Sequence, residues 1–119
     1  MWANLGGANL NEADLSGSNL ADANLFGASM GRAVLTGANL SAVDLGWANL
    51  QGAILSRARL SLANLRDAVL AGVDLRSVNL SDVKNLTMQQ IGQAHGDRHT
   101  RLPEDLERPM QWLKIVEQT

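Results

Sequence analysis

The sequence predicts an all-β solenoid that is capped by short C-terminal α-helices, and three observations lead to this fold class. A leucine returns at every fifth residue from Leu5 to Leu80, with Met30 as the single exception. A small residue stands two positions before each leucine, and Asn or Asp most often lies between the two. After residue 83 this pattern stops and apolar residues take up helical spacing.

A period of five residues fits neither regular element of secondary structure. In an α-helix each step of five turns the next leucine by about 140°, so no apolar stripe forms. In a strand successive leucines would point to opposite faces. A chain that bends after every unit instead directs each leucine toward a common axis. Four units then make a coil of about 20 residues, and backbone hydrogen bonds stack the coils about 4.8 Å apart.

The repeated units point to a known family. Units such as Ala8-Asn9-Leu10, Ala38-Asn39-Leu40 and Ala48-Asn49-Leu50 closely resemble those of pentapeptide-repeat proteins. The resemblance implies a right-handed quadrilateral β-helix, which we assign to residues 1–83. Residues 84–119 are interpreted as a C-terminal helical cap, similar to a tail that follows such repeats in many bacterial proteins.

The corners and the register of the solenoid can be read from the repeat. Asn and Asp are expected to hydrogen-bond the backbone of the tight corners. Glycines are expected at corners that require a positive φ; they are Gly7, Gly17, Gly27, Gly37, Gly52 and Gly72. The four-unit register also predicts an ion pair between Glu12 and Arg32 on neighbouring coils.

Two surface patches are candidates for binding a protein partner. The register places Phe26, Trp47 and Arg66 on neighbouring coils, where a cation–π contact is possible. Val34 and Ile54 form the second candidate, because two apolar residues replace the usual Asn or Asp there. Isolated apolar residues on a surface are also common without any function, and this alternative applies to both patches.

The two ends of the repeat predict different things. Met1 and Trp2 lead straight into the first unit, which indicates either a fragment of a longer protein or an open coil that meets a partner. A monomer, or a homodimer through this uncapped N-terminal coil, is therefore expected.

The tail contains signals for helices. Thr87 and Gln90 predict a capping box, Gly96 predicts the end of a helix, and residues 110–117 predict a second helix. The apolar residues expected to cover the last coil are Met88, Ile91, Leu102, Leu106, Trp112, Leu113 and Val116.

Composition and motifs argue against several classes of function. Twelve acidic and ten basic residues are spread evenly, so no basic stripe and no nucleic-acid partner are predicted. Without cysteine there is no disulfide or thiol catalysis, and without a long apolar run no membrane partner is predicted. The absence of a signal-peptide pattern makes a cytoplasmic location the expectation. The segment from His95 to His99 is interpreted as a turn rather than a zinc site.

The expected function is a non-enzymatic scaffold or protein-interaction module, with no catalytic residue, cofactor or metal and an unknown partner. The alternative comes from the resemblance, since some pentapeptide-repeat proteins mimic DNA and regulate DNA gyrase or topoisomerase IV. That activity is expected to need a long dimeric rod with a strongly acidic face, and four coils of balanced charge depart from this. A third possibility is a repeat segment of a larger protein.

Overall fold

The computed structural model describes residues 3–113 of the 119-residue chain. The predictions for Trp2, for Val116 and for the second half of the helix at 110–117 lie outside the described residues. Within them, the chain winds into stacked four-sided coils. Isolated parallel bridges join the middle residue of each unit to its counterpart one coil later, from Asn4–Asn24 to Asn64–Lys84.

The bridges form a continuous backbone ladder along each side of the solenoid. At the first bridge, Asn24 N donates to Ala3 O at 2.9 Å and Leu5 N donates to Asn24 O at 2.7 Å. The chain turns before the next bridge, where Ala8 N donates to Leu5 O at 2.9 Å. Each side of a coil is thus one bridged residue between two turns, which confirms the predicted period of four units and its four corners. Residues 3–22, 23–42, 43–62 and 63–82 form the first four coils. Sides are numbered along each coil from the one that contains Asn4 or its counterpart, and each corner has the number of the side that it follows.

The corners have the backbone geometry that the glycines predicted. All six predicted glycines have positive φ, from 67° to 70°, at the third residue of a turn, as a type II turn requires. Nine non-glycine residues of the repeat take the same conformation, which costs about 1–2 kcal/mol each; they are Glu12, Asp22, Arg32, Ala42, Trp47, Arg57, Leu62, Asp67 and Ser77. The ladder and the core therefore impose the corner even where the residue disfavours it.

The Asn and Asp side chains support these corners, as predicted. At most corners the side-chain oxygen accepts a hydrogen bond from the amide two residues later, as Asn39 does from Ser41 N at 3.0 Å and Asp44 from Gly46 N at 2.9 Å. The predicted contact between coils is also present, since Arg32 and Glu12 form an ion pair at 2.7 Å. These residues thus hold the turns and the register.

The core is a column of leucines with small residues between them. From Leu25 to Leu80 every leucine that follows the repeat is at most 2% exposed. In the first coil, Leu5, Leu10, Leu15 and Leu20 are only partly buried, because nothing in the described part of the chain covers that end.

The C-terminal cap differs from the predicted pair of helices. Within residues 84–113 the one α-helix is α1 (Met88–Gly92), which begins with the predicted Thr87–Gln90 capping box but is five residues long, and a 3₁₀ helix spans Met110–Leu113. Gly96 does not end a helix, so that prediction was wrong. It lies instead under the Trp112 ring, and a Cβ at Gly96 would be only 2.5 Å from Trp112 Cε3.

The cap is an irregular fifth coil that completes the backbone ladder. Three sides continue through bridges of Lys84 to Asn64, His95 to Asp74 and Arg101 to Asn79. Helix α1 takes the place of the remaining side, and there Gln90 Nε2 donates to Ala68 O at 3.0 Å and Leu65 O at 2.8 Å. One carbonyl on each of the four sides of the fourth coil thereby accepts a hydrogen bond; these carbonyls belong to Ala63, Ala68, Val73 and Val78.

The apolar residues of the tail cover the last coil only in part. Ile91 and Trp112 are buried, and Leu102 and Leu106 pack against the core. Met88 and Leu113 were expected to cover the coil but are 45% and 49% exposed. Met88 Sδ instead accepts a hydrogen bond from Glu107 N at 3.4 Å, and the Gln90 side-chain amide completes this side of the coil. The division of the chain between residues 83 and 84 stays a prediction.

Replacing Gln90 by Ala is expected to destabilise the fold by about 1–3 kcal/mol, because the Ala68 carbonyl at the coil edge loses its donor. The capping-box hydrogen bond to Thr87 N is lost as well. Urea unfolding followed by circular dichroism measures the change. Gln89→Ala is the matched control, since Gln89 is exposed in the same helix. Equal unfolding free energies for the two variants would contradict this role.

Candidate interaction surfaces

The first predicted patch is present as a corner of the solenoid, which we call the aromatic corner (Phe26, Trp47 and Arg66). These residues follow one another along the first corner of coils two, three and four. Trp47 N donates to Arg66 O at 2.8 Å, which fixes the stacking of their backbones. Phe26 is 49% and Trp47 59% exposed. The structure thus brings together the three residues that the register predicted.

The local backbone explains the position of Phe26 but not the choice of Trp47. A Cβ at Gly46 would lie 3.1 Å from Phe26 Cδ2, so the Phe26 ring rests on the bare backbone of the next coil. Trp47 has a φ of 58°, in the region that favours glycine. A large side chain that is mostly exposed on a strained corner contributes little to folding. Core packing therefore gives no reason for an aromatic residue at position 47.

Arg66 has a carboxylate neighbour at the edge of the aromatic corner. Its Nε lies 3.7 Å from Asp67 Oδ2, and both side chains are at least half exposed. An exposed ion pair of this length stabilises the fold little. The predicted cation–π contact with Trp47 stays a prediction. The corner therefore combines two aromatic rings with an adjacent pair of opposite charges.

The second predicted patch lies on the third side of the solenoid, between two carboxylates. Bridges connect Asp14 to Val34, Val34 to Ile54, and Ile54 to Asp74. Ile54 is 36% exposed. Hydrogen bonds from Ser16 lower the pKa of Asp14, and those from Arg76 lower the pKa of Asp74. The two apolar residues are thus neighbours as predicted, and an acid lies next to each of them on the adjacent coil.

The segment from His95 to His99 closes the last coil. His95 N donates to Val73 O at 2.8 Å, and Leu75 N donates to His95 O at 2.6 Å. Asp97 Oδ1 accepts hydrogen bonds from Ser77 N, His99 N and the Thr100 hydroxyl. Burial acts to raise the pKa of Asp97, but these hydrogen bonds hold it below its ordinary value. Among residues 3–113 no group of His, Asp and Glu side chains is arranged to hold a metal ion.

A cluster of arginines was missed at the sequence level. The even charge balance predicted no basic surface, yet coils three to five bring arginines to the third corner and the fourth side; they are Arg57, Arg59, Arg76, Arg98 and Arg101. Overall charge carries no signal for such a cluster. The signal lies in the 20-residue register, which places Arg57 and Arg76 at one corner and Arg59 on the adjoining side.

Comparison with known proteins agrees with this geometry. The family model of the pentapeptide repeats matches residues 3–42 and 44–82 in eight copies. The chain belongs to the pentapeptide repeat family. The family fold is the right-handed quadrilateral β-helix, in agreement with the four-sided coils. No curated protein sequence matches this pentapeptide repeat protein.

Several solved structures of cyanobacterial pentapeptide repeat proteins are similar to it. The protein alr5209 from Nostoc PCC 7120 is 33% identical, with 89% of this chain and 78% of that chain covered and a TM-score of 0.43. Rfr23 from Cyanothece 51142 is 25% identical, with 84% and 88% covered and a TM-score of 0.41. HetL from Nostoc sp. strain PCC 7120, involved in heterocyst differentiation regulation, is 30% identical, with 84% and 51% covered and a TM-score of 0.38.

The helices that the structure describes in this pentapeptide repeat protein are short. Within residues 3–113 none has the length and apolar character needed to cross a lipid bilayer.

Replacing Asp74 by Asn is expected to flatten the pH dependence of stability. Hydrogen bonds from Arg76 hold the pKa of Asp74 below the unfolded value of about 3.9. The stabilisation is therefore present above that value and is lost as pH falls through the native pKa. Asn keeps an acceptor for Arg76 N but carries no charge. The free energy of urea unfolding should fall less between about pH 6 and pH 2.5 in the variant than in the parent.

Asp22→Asn is the control for this measurement, because the Asp22 carboxylate forms no ion pair among residues 3–113. Its pH dependence should follow that of the parent. A parent-like pH dependence for Asp74→Asn would show that the Arg76 contact contributes nothing to stability.

Proposed function

We propose that this protein is a non-enzymatic scaffold that binds a protein partner through the aromatic corner. The observation that carries the proposal is the exposure of Phe26 and Trp47, 49% and 59%, on adjacent coils. Aromatic side chains are enriched at the centres of protein interfaces, where they bury a large area with few rotatable bonds.

The repeat itself supports this reading of the corner. The same corner of the first coil carries Gly6 and Gly7, and the backbone geometry favours glycine at position 47. A tryptophan there costs conformational energy, and its exposed ring recovers little of it within the chain. Burial against a partner would recover it.

The surroundings of the corner suit an amphipathic segment of the partner. Val69 is 42% exposed on the neighbouring second side, so the apolar surface extends beyond the two aromatic rings. Arg66 and Asp67 supply one charge of each sign at its edge. An apolar face of a partner helix or strand would cover the rings, and its polar edge would meet these charges.

The proposal also includes properties of the protein that the aromatic corner does not bear on, and these stay predictions. They are the absence of catalysis and of a cofactor, a cytoplasmic location, and a monomer or a homodimer through the N-terminal coil. The binding role of Val34 and Ile54 stays a prediction too.

The distribution of acids disfavours DNA mimicry. On the third side the column of Asp14 and Asp74 is interrupted by Val34 and Ile54. Glu12 is neutralised by Arg32 at 2.7 Å. A surface that mimics a phosphate backbone would need a continuous row of unpaired acids.

Trp47→Gly is expected to weaken partner binding at least about tenfold while leaving the fold intact, because truncating an aromatic anchor typically costs about 2 kcal/mol or more. A partner would first be captured with the parent from a lysate of the source cells, then purified and titrated by isothermal calorimetry.

Leu62→Gly is the matched control. Leu62 is 52% exposed and has a φ of 64°, so the substitution has the same backbone effect on a different corner. Its affinity should equal that of the parent. The aromatic corner would be excluded if Trp47→Gly bound as tightly as Leu62→Gly.

A DNA supercoiling assay with bacterial gyrase separates the alternative function. We expect neither inhibition nor protection from a quinolone at micromolar protein, because no continuous acidic column is present among residues 3–113. A dose-dependent effect on supercoiling would make DNA mimicry the function and overturn the scaffold proposal.

A further inference from the structure

We infer that the arginine cluster binds an acidic segment of a polypeptide, at a surface separate from the aromatic corner. We call this surface the arginine corner (Arg57, Arg59, Arg76, Arg98 and Arg101). It comprises five of the chain's ten basic residues. The third corner of a four-sided coil is diagonally opposite the first, so a partner on the aromatic corner leaves the arginine corner free.

The register brings these arginines together. Arg57 and Arg76 occupy the third corner in coils three and four. Arg98 lies at the same corner of the fifth coil, in the turn where Thr100 N donates to Asp97 O at 3.1 Å. Arg59 and Arg101 lie on the fourth side, bridged through Asn79. With coils about 4.8 Å apart, the cluster is about 10 Å high.

The positive charge of the corner is largely uncompensated. All five arginines are exposed. Arg76 is paired with Asp74, which takes two hydrogen bonds from its guanidinium at 2.9 and 2.8 Å. Within residues 3–113 the other four have no carboxylate within ion-pair distance. Asp97, the acid beside Arg57 and Arg76, already accepts hydrogen bonds from Ser77 N, His99 N and the Thr100 hydroxyl. Four guanidinium groups are thus left to face the solvent.

The shape of the surface adds polar groups to these charges. A shallow depression of about 290 Å³ lies beside the arginines, lined by Ser56, Arg57, Arg76, Ser77 and Asp97. Its serine hydroxyls can donate hydrogen bonds. A planar guanidinium matches a carboxylate with two parallel hydrogen bonds. The arginine corner therefore presents several carboxylate-binding groups within a small area.

The size of the cluster favours an acidic peptide over a nucleic acid. Side chains on one face of an extended peptide repeat about every 6.4–6.8 Å, so two to three acids cover the height of the cluster. Nucleic-acid binding typically uses about six to ten phosphate contacts. A longer polyanion would also meet the acids of the adjacent fourth corner, Asp82, Glu104 and Asp105.

The test uses a fluorescein-labelled twelve-residue peptide of alternating Glu and Gly, with a Gln and Gly peptide as its uncharged counterpart. Fluorescence polarisation is measured with the full chain at about 50 mM salt, where screening is modest. We expect saturable binding of the Glu peptide only. The variant Arg59→Gln/Arg101→Gln should bind it at least about tenfold more weakly, because each lost guanidinium removes charge-assisted hydrogen bonds.

Arg32→Gln/Arg66→Gln is the matched control, because it removes the same charge from other corners. It should change the affinity less than about threefold, since exposed charges further than a Debye length are screened. Trp47→Gly should bind the peptide as the parent does, which separates this surface from the aromatic corner. Urea unfolding checks each variant, and Arg57→Gln/Arg98→Gln replaces the first pair if that pair does not fold.

Three results would overturn the inference. The parent could show no saturable binding of the Glu peptide up to about 1 mM, which would put the dissociation constant above about 1 mM and leave less than about 4 kcal/mol of binding free energy. Both double variants could weaken binding equally, which would mean a general charge effect. A twelve-nucleotide DNA strand could bind more tightly than the peptide through the same arginines, which would identify a phosphate-backbone site.

Discussion

The turn with a positive φ at every fifth residue is the constraint on which the rest of the structure depends. It bends the chain so that each leucine points inward and each middle residue meets its counterpart on the next coil. Nine non-glycine residues of the repeat adopt this geometry, so ladder hydrogen bonds and leucine burial together outweigh its cost. Outward side chains that make no hydrogen bond to a corner take no part in this balance and can vary widely.

Departures from the repeat are therefore more informative than the repeat itself. At a regular corner an Asn or Asp side chain accepts a hydrogen bond from the amide two residues later. Ser29 stands at this position before Gly31, and Gly31 N instead donates to Asn11 Oδ1 of the previous coil at 2.7 Å. The fold thus tolerates a missing Asn where another acceptor is near. Residues such as Trp47 and Arg59 occupy positions that the fold leaves open, and for this reason we assign the candidate surfaces to them.

The features that could be predicted from sequence depend on short-range geometry or on a fixed offset. The corner glycines, the Glu12–Arg32 ion pair and the neighbours Phe26 and Trp47 all follow from the length of one unit or of one coil. The cap could not be predicted in this way, because extra residues shift the register where His95 pairs with Asp74 and Arg101 with Asn79. The role of Gly96 depends on the distant Trp112, and the arginine corner depends partly on this shifted register.

The hydrogen-bond donors of the cap that cover the fourth coil also affect whether copies of the chain can stack end to end. A stack of near-identical units resembles the arrangement of chains in a cross-β fibril, where each open edge templates the next layer. Here Gln90 occupies one edge carbonyl with a side-chain amide, and the shifted spacing of His95 and Arg101 spoils the regular template. In the described part of the cap, residues 84–113, there is therefore no repeating edge on which a filament could grow.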